Sequence, residues 1–90
     1  MVFEWDPAKA RRNYAKHGVT FHQALSAFGD PFAVAFPDLE HSDKEAQYVT
    51  FGYSIDGLLL AVVHVENGPF TRIISARYAT RRERRLYEEG

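Results

Sequence analysis

The chain has 90 residues, of which 46% are hydrophobic and 26% charged, and we expect one globular domain over residues 1–90 with an open groove rather than an enclosed chamber. The absence of cysteine excludes disulfides, thiolate metal sites and cysteine nucleophiles. The longest apolar run, residues 58–63, is too short to cross a membrane, and the N-terminus has no signal-peptide pattern. We therefore expect a cytoplasmic protein without a membrane partner.

The net charge of −1 conceals an uneven distribution along the chain. Residues 1–29 carry four basic and two acidic side chains, residues 30–66 one and seven, and residues 67–90 six and three. Binding to a polyanion depends on the local positive surface rather than on the net charge. The two basic ends are therefore compatible with RNA binding, although such clusters are more often solvated faces.

The N-terminal segment predicts a strand followed by a helix. Residues 2–5 have the composition of a strand, and Asp6 with Pro7 supplies an N-cap and a proline at the first helical position. We expect this helix to run from Pro7 to about His17. Gly18 should end it, because glycine readily adopts the left-handed conformation of a helix C-cap.

A second helix and then a sheet are predicted from residue 20 onward. Thr20 and Gln23 form a capping box for a short amphipathic helix, which should end at residues 29–31. Beyond it, runs rich in β-branched and aromatic residues alternate with turn signals and predict an antiparallel meander. The strands are expected at 32–36, 46–54, 58–66 and 70–77, the turns at Asp56-Gly57 and Asn67-Gly68, and an acidic loop at 37–45.

The C-terminal segment predicts an arginine-rich helix. Thr80 and Glu83 form another capping box, so the helix should begin at Arg81. Six arginines and no lysine lie between Arg72 and Arg85. The planar guanidinium group suits both RNA binding and the stabilisation of a charged phosphate transition state. The expected fold is α+β, with an N-terminal strand and two helices packed on a twisted antiparallel β-meander and a helix at the C-terminus.

The four histidines differ in their suitability for acid–base chemistry. His17 ends the first helix, where it could transfer protons or simply cap the helix dipole. His64 shares one face of a strand with Glu66, which indicates either an oriented imidazole or an exposed cross-strand patch. His22 is expected on a helix surface and His41 in the acidic loop. Their spacing matches no compact zinc signature, so we predict no metal site.

Basic and aromatic side chains supply candidates for RNA binding. Lys9, Arg12 and Lys16 share one face of the first helix, which is either a solvated stripe or one wall of a groove beside the C-terminal arginines. Trp5 and Tyr87 are candidates for base stacking, although aromatic residues at such positions more often belong to the core or its rim. The sequence contains no glycine-rich phosphate loop.

Two blocks of the sequence are more specific than these patterns. The first contains WDPAK at residues 5–9 and KHGV at 16–19, and the second is IISARYATRRER at 73–84. Together they closely resemble the BrnT-type toxins of bacterial type II toxin–antitoxin operons, which look like a branch of the RelE superfamily of small ribonucleases. The resemblance implies helices on one side of a twisted antiparallel sheet and RNA cleavage without a metal or other cofactor.

We predict which residues act from the positions that match the family together with the concentration of arginines. Arg77 and Arg81 would stabilise charge on the phosphate after attack by the ribose 2′-hydroxyl. Lys16 or His17 would assist proton movement, and Glu83 would orient an arginine or act as a base. The expected catalytic residues are thus Lys16, His17, Arg77, Arg81 and Glu83, and the expected RNA-binding residues are Trp5, Lys9, Arg12, Arg82 and Arg84.

The family resemblance further implies a partner of the BrnA type. This antitoxin has a ribbon-helix-helix part, which would dimerise and so bring two toxin copies into a two-fold assembly. Operator DNA would be contacted only through the antitoxin. It would inhibit the toxin by covering Arg77 and the C-terminal helix. The alternative is a non-catalytic partner-binding module or corepressor that acts through the antitoxin complex, or a toxin that has lost catalysis. Growth arrest by the chain expressed alone would distinguish an active toxin from these alternatives.

Overall fold

The computed structural model describes residues 1–41 and 45–90, without the side chain of His41. The prediction for the side chain of His41 and the prediction for the middle of the acidic loop therefore concern parts of the chain outside the described residues. Within the described part, no helix is long and apolar enough to cross a membrane. In chain order the elements are β1 Val2–Glu4, α1 Pro7–His17, α2 Phe21–Ala27, β2 Val34–Pro37, a short 3-10 helix Leu39–His41, β3 Gln47–Tyr53, β4 Leu59–Asn67, β5 Phe70–Tyr78 and α3 Arg81–Glu89.

The strands form one mixed sheet in the order β1-β5-β4-β3-β2. Strands β2 to β5 pair antiparallel, as the meander pattern predicts. Strand β1 joins the edge of the sheet in parallel with β5, and Val2 lies opposite Phe70. The predicted α+β architecture is therefore confirmed. Its parallel edge was not predicted, because a short hydrophobic run does not specify its neighbour.

Local capping signals set the helix boundaries. The Asp6 side chain accepts a hydrogen bond from the Ala8 N–H at 2.9 Å, and Gly18 ends α1 with a φ of 70°. Both predicted capping boxes are present, at the first residues of α2 and α3. These bonds satisfy backbone N–H groups that have no partner inside the helix. The three helices consequently begin where the sequence predicts.

Strand β2 begins two residues later than predicted because Asp30 forms a turn before it. The Asp30 side chain accepts a hydrogen bond from the Phe32 N–H at 2.9 Å, and its carbonyl accepts one from Ala33 at 3.0 Å. Phe32 is 74% exposed in this turn rather than paired in the sheet. The prediction that the strand starts at residue 32 is therefore wrong.

Helices α1 and α2 cover one face of the sheet and enclose the main core. At Gly52 a Cβ atom would lie 2.6 Å from the Ala27 carbonyl oxygen, so only glycine allows α2 to approach β3 this closely. The fully buried apolar side chains around this contact come from α2, from the segment between α1 and α2, and from strands β4 and β5. They are Val19, Phe21, Ala24, Ala27, Leu60, Val62, Ile73 and Ala76.

Asn13 fixes α1 to the exposed edge of β5. Its side-chain amide donates to the carbonyl oxygens of Val19 at 2.9 Å and Ala76 at 2.8 Å, and its Oδ1 accepts from the Ala76 N–H at 3.1 Å. The edge is available here because the pairing with β1 ends at Arg72. A side-chain amide thus takes the place of a neighbouring strand, and it sets the position of the whole basic face of α1.

Helix α3 lies on the other face of the sheet, so the expectation of helices on one side of the sheet holds for α1 and α2 and is wrong for α3. Ala76 points into the core beneath α1 and α2, so the next residue, Arg77, points to the opposite face, as does Tyr53 on β3. Both side chains contact α3, through Glu83 and Arg84. None of the α3 side chains is fully buried, and the helix is attached by its polar contacts and by the ring of Tyr87 against Tyr53.

Candidate nucleic-acid interface and active site

A shallow groove of about 410 Å³ runs between α1 and β5. The Lys9, Arg12 and Lys16 side chains along it are exposed, and His17 is partly exposed. The fold therefore brings four of the proposed site residues onto one surface. We call this surface the α1 groove, and it is lined by Lys9, Arg12, Asn13, Lys16, His17, Ile74 and Ser75.

The α1 groove has an unbalanced positive charge. Helix α1 contains no acidic residue. Among residues 1–41 and 45–90, no carboxylate pairs with Lys9, Arg12 or Lys16. Exposed cations on one helix face raise the local positive potential, which attracts anionic ligands such as phosphates. The described residues therefore supply no paired counter-charge to this surface.

An irregularity in β5 forms the floor of the groove. The pairing shifts between Val63, opposite Ser75, and His64, opposite Ile73, which leaves Ile74 as an extra residue. Such bulges redirect side chains and are common beside active sites. Ser75 lies on the same side of the strand as Arg77, two residues away, or roughly 7 Å along the strand. Ser75 thus lies in the α1 groove and on the same side of β5 as Arg77, which is not itself among the residues that line the groove.

Arg77 is held by Glu83 in a two-pronged ion pair. Its Nη1 and Nη2 atoms donate to the two carboxylate oxygens at 2.7 and 2.9 Å. The hydrogen bonds from Arg77 lower the pKa of Glu83, and those to Glu83 raise the pKa of Arg77. One carboxylate oxygen also accepts from the Thr80 N–H at 2.9 Å. Both oxygens of Glu83 are therefore occupied, an arrangement that suits positioning Arg77.

The C-terminal part of α3 is attached through two tyrosines. Tyr87 donates from its hydroxyl to Asp30 at 2.6 Å, which raises the pKa of Tyr87 to about 12. Its ring meets Tyr53 edge-on with centroids 5.4 Å apart. Arg84 donates to the Tyr53 hydroxyl at 2.9 Å. Tyr87, a candidate for base stacking, thus contributes to a contact that anchors α3.

The remaining arginines of α3 face solvent. Arg81 and Arg82 are exposed, as is Arg85, and none of them has a hydrogen-bond or ionic partner in the described part of the chain. Arg81 and Arg82 follow the end of β5 closely, so they lie near Arg77 in sequence and on the adjoining helix. The structure therefore leaves these two guanidinium groups free to meet a phosphate.

Trp5 lies away from the α1 groove. It lines a different cleft, between α1 and α2, where its ring meets Phe21 and His22 edge-on at centroid distances of 5.9 and 5.1 Å. Trp5 also packs against the core. It precedes α1 by two residues, and sequence spacing alone does not determine which side of the helix it occupies.

A buried polar network surrounds His64. Its Nε2 lies 2.7 Å from the Thr50 hydroxyl, its Nδ1 bonds to Glu66, and Thr71 donates to Glu66 at 2.9 Å. His64 is only 4% exposed, and this burial lowers its pKa more than Glu66 raises it. The alternative of an exposed cross-strand patch is therefore wrong. Thr50 was missed because it lies on the neighbouring strand, which the spacing of His64 and Glu66 does not reveal.

The fold has a counterpart among ribonuclease toxins. The chain is similar to the crystal structure of the Brucella abortus ribonuclease toxin BrnT, with a TM-score of 0.64, 25% identity, and coverage of 90% of this chain and 100% of the other. This likeness shows that the two chains share a fold. No curated protein matches the chain at a significant level.

The family itself is shown by a match along most of the chain. Residues 5–83 match the family model described as the ribonuclease toxin BrnT of type II toxin–antitoxin systems. The chain therefore belongs to the BrnT family of ribonuclease toxins. This confirms the resemblance carried by the two sequence blocks, and membership of a toxin–antitoxin family implies an RNA target and an antitoxin partner.

Proposed function

We propose that this chain is a metal-independent endoribonuclease that cleaves RNA by attack of a ribose 2′-hydroxyl and thereby inhibits translation in the cytoplasm. The observation that carries the proposal is the α1 groove, where Lys16 and His17 lie among cations without an acidic partner in the described residues. Attack by the 2′-oxygen takes its nucleophile from the substrate. The protein then needs only to move protons and to stabilise charge on the phosphate.

The proposed step can be written with its bonds and protons. The 2′-oxygen forms a bond to phosphorus and loses its proton, while the bond from phosphorus to the 5′-oxygen breaks. The leaving 5′-oxygen takes up a proton, so the products are a 2′,3′-cyclic phosphate and a 5′-hydroxyl. We assign these proton transfers to His17 and Lys16, because both lie at the end of α1 in the groove.

The arginines at the β5–α3 junction would stabilise the phosphate. Arg81 is exposed and unpaired in the described part of the chain, so it can approach a phosphate directly. Arg77 would use the N–H groups that Glu83 leaves unused, and Glu83 would fix its orientation. Lys9 and Arg12 would bind the RNA backbone along α1, and Arg82 and Arg84 along α3.

The antitoxin would inhibit by covering this junction. We propose a BrnA-type partner whose acidic or amphipathic segment lies on Arg77 and α3, and whose ribbon-helix-helix part dimerises and alone contacts operator DNA. Tyr78 and Leu86, 51% and 40% exposed, offer apolar contacts on the same segments. Coexpression with the neighbouring open reading frame should yield a complex larger than one-to-one by light scattering. Failure of that neighbour to bind would contradict this model.

The activity can be tested with purified chain and end-labelled RNA in excess EDTA. We expect products with 2′,3′-cyclic or 3′-phosphate ends, because no metal-bound water is needed. A substrate with 2′-deoxyribose at the cleaved position should remain intact. Cleavage that requires added magnesium, or that yields 3′-hydroxyl ends, would contradict the mechanism. A folded chain that neither cleaves RNA nor arrests growth would instead be a partner-binding module or corepressor.

A further inference from the structure

We propose that the cleft between α1 and α2 binds an unpaired nucleobase of the same RNA strand whose phosphates lie along α1. The inference rests on the proposed function, since it assigns a base subsite to the substrate. The cleft has a volume of about 320 Å³. That volume lies within the range of small-ligand pockets, roughly 300 to 1,000 Å³. Its main lining residues are Trp5, Arg11, Tyr14, Thr20, Phe21 and His22.

The cleft presents rings in a rigid setting. Trp5 packs against the core and meets Phe21 edge-on, so its position is fixed before any ligand arrives. His22 lies edge-on to Trp5 at a centroid distance of 5.1 Å. Tyr14 is 58% exposed at the rim. Aromatic side chains of this kind provide stacking surfaces for bases of any identity, because every base has a π-face.

Helix α1 connects the cleft with the α1 groove. Lys9, Arg12 and Lys16 project toward β5, whereas Arg11 and Tyr14, three residues apart, line the cleft on the other flank of the helix. A strand that crosses α1 could therefore place adjacent phosphates on Arg11 and Arg12 and turn one base into the cleft. Two arginines that are neighbours in sequence would then bind phosphates of the same RNA strand.

The charge of α1 favours RNA as the occupant. Arg11 is exposed, and it has no ionic partner in the part of the chain that the structure describes. Because α1 lacks acidic residues, nothing on this helix repels a phosphate. An apolar protein segment would pack against the aromatic rings but would leave the charge of the arginines unneutralised. An RNA nucleotide satisfies both parts of the surface at once.

The single tryptophan of the chain makes the cleft directly observable. A short 2′-O-methyl RNA, which cannot be cleaved by the proposed route, should quench Trp5 fluorescence as it binds. The control is an oligonucleotide of the same length that has abasic positions and therefore carries the same phosphates. Fluorescence anisotropy is used to bring both oligonucleotides to the same fraction bound. At that point the abasic oligonucleotide should leave the fluorescence of Trp5 nearly unchanged. Equal quenching by both oligonucleotides, or quenching by neither, would overturn the proposal.

Substitutions provide a second test that does not depend on fluorescence. Tyr14→Ala should weaken binding of the base-bearing RNA at least about fivefold, as loss of one stacking ring does elsewhere. It should not affect binding of the abasic strand. The matched control is Phe32→Ala, an exposed aromatic beside β2 at the opposite edge of the sheet from α1, and it should bind both strands like the wild type. Trp5→Phe, read by anisotropy, retains a ring and should weaken binding less than Tyr14→Ala.

The binding assays separate this proposal from the proposed function. If RNA cleavage is absent but base-dependent quenching is present, the base subsite stands and the nuclease mechanism is wrong. If cleavage occurs in EDTA without base-dependent quenching, the subsite is wrong and the mechanism stands. If Tyr14→Ala leaves RNA affinity unchanged and instead weakens binding of the antitoxin, the cleft is a protein contact and the proposal is overturned.

Discussion

The two basic surfaces of the molecule differ in what balances their charge. In the α1 groove, Lys9 and Lys16 have no acidic partner in the described residues. Across the sheet, where β5 leads into α3, Arg77 is held by both oxygens of Glu83. Arg77 and Glu83 neutralise each other, which fixes the position of Arg77. The cations of the α1 groove, like Arg81 and Arg82 on α3, have no acidic partner in the described residues, so a ligand is expected to supply the negative charge there.

This difference has energetic consequences that can be measured. An exposed cation without a partner contributes little to stability, so replacing it should affect function and leave folding almost unchanged. A buried or paired polar group behaves in the opposite way, because its partners lose a hydrogen bond when it is removed. Substitutions at the two kinds of position should therefore separate activity from stability.

The largest effect is expected from His17→Ala in the α1 groove. We expect RNA cleavage to fall roughly 10²- to 10⁴-fold, the usual contribution of a general acid or base. The free energy of unfolding should change by less than about 1 kcal/mol, because only a partly exposed side chain at the end of a helix is lost. Initial cleavage rates and urea titrations measure the two quantities. Arg85→Ala is the control, since Arg85 is an exposed residue of α3 without a partner in the described part of the chain. Equal loss of cleavage in both variants would argue against the assignment.

Asn13→Ala should show the reverse, a loss of stability at the wall of the same groove. The Ala76 N–H and the carbonyl oxygens of Val19 and Ala76 would lose their side-chain partner. We expect the free energy of unfolding to fall by about 2–4 kcal/mol, since each unsatisfied buried group costs about 1–3 kcal/mol. Urea unfolding followed by circular dichroism would measure this. The neighbouring Arg12→Ala should stay within about 0.5 kcal/mol of the wild type, and a similar loss in both variants would contradict the contrast.

Glu83→Gln tests whether the paired surface positions an arginine or performs acid–base chemistry. Glutamine can retain the capping box but not the charge that holds Arg77. A positioning role predicts a reduction in cleavage of about tenfold, or about 1.4 kcal/mol in activation free energy, with the pH profile unchanged in shape. A loss beyond about 10³-fold together with the disappearance of one limb of the pH profile would identify Glu83 as the base instead.

The smallest effect concerns pH and the buried His64. Its pKa is lowered from the ordinary value of 6.5 by burial. The unfolded chain therefore takes up a proton as the pH falls below 6.5 while the folded chain does not, and stability is lost with acid. The slope should stay below about 1.4 kcal/mol per pH unit for one group. Urea titrations from about pH 8 to 5.5 should show this slope and its absence in His64→Gln; a slope retained in that variant would refute the assignment.

Between about pH 8 and 5.5, the carboxyl groups with lowered pKa values contribute little to the pH dependence of stability. The pKa of Asp30 would be raised by its partial burial, but hydrogen bonds from the Tyr53 N–H and the Tyr87 hydroxyl lower it overall. Glu83 is lowered chiefly by Arg77. Both groups therefore contribute stability that is lost as the pH falls below their ordinary values of 3.8 and 4.5.

Interactions between residues close in the chain could be predicted from the sequence. The Asp6 cap, the Gly18 stop and both capping boxes join residues no more than four positions apart, so pattern alone located all three helices. Turn signals and strand composition likewise located the antiparallel strands. The start of β2 was wrong because the Asp30 side chain forms a turn within a segment that reads as apolar.

Interactions that depend on tertiary placement could not be predicted in this way. The parallel pairing of β1, the Asn13 contact with Ala76 and the His64 contact with Thr50 each join elements whose adjacency no local pattern encodes. The residues assigned to the site came largely from the family blocks. The fold places Lys9, Arg12, Lys16 and His17 in one groove and Trp5 in another, a separation that sequence spacing did not reveal.

The most direct test of the contrast between the two surfaces is the salt dependence of RNA binding. The dissociation constant of a non-cleavable single-stranded RNA would be measured against potassium chloride for the wild type, Arg12→Ala and Arg85→Ala, two exposed arginines without partners in the described chain. If the phosphates lie in the α1 groove, Arg12→Ala should reduce the slope of log K against log salt by about 0.7, and Arg85→Ala should leave it unchanged. Equal reduction by both variants would show diffuse attraction instead of a defined groove and would contradict the account.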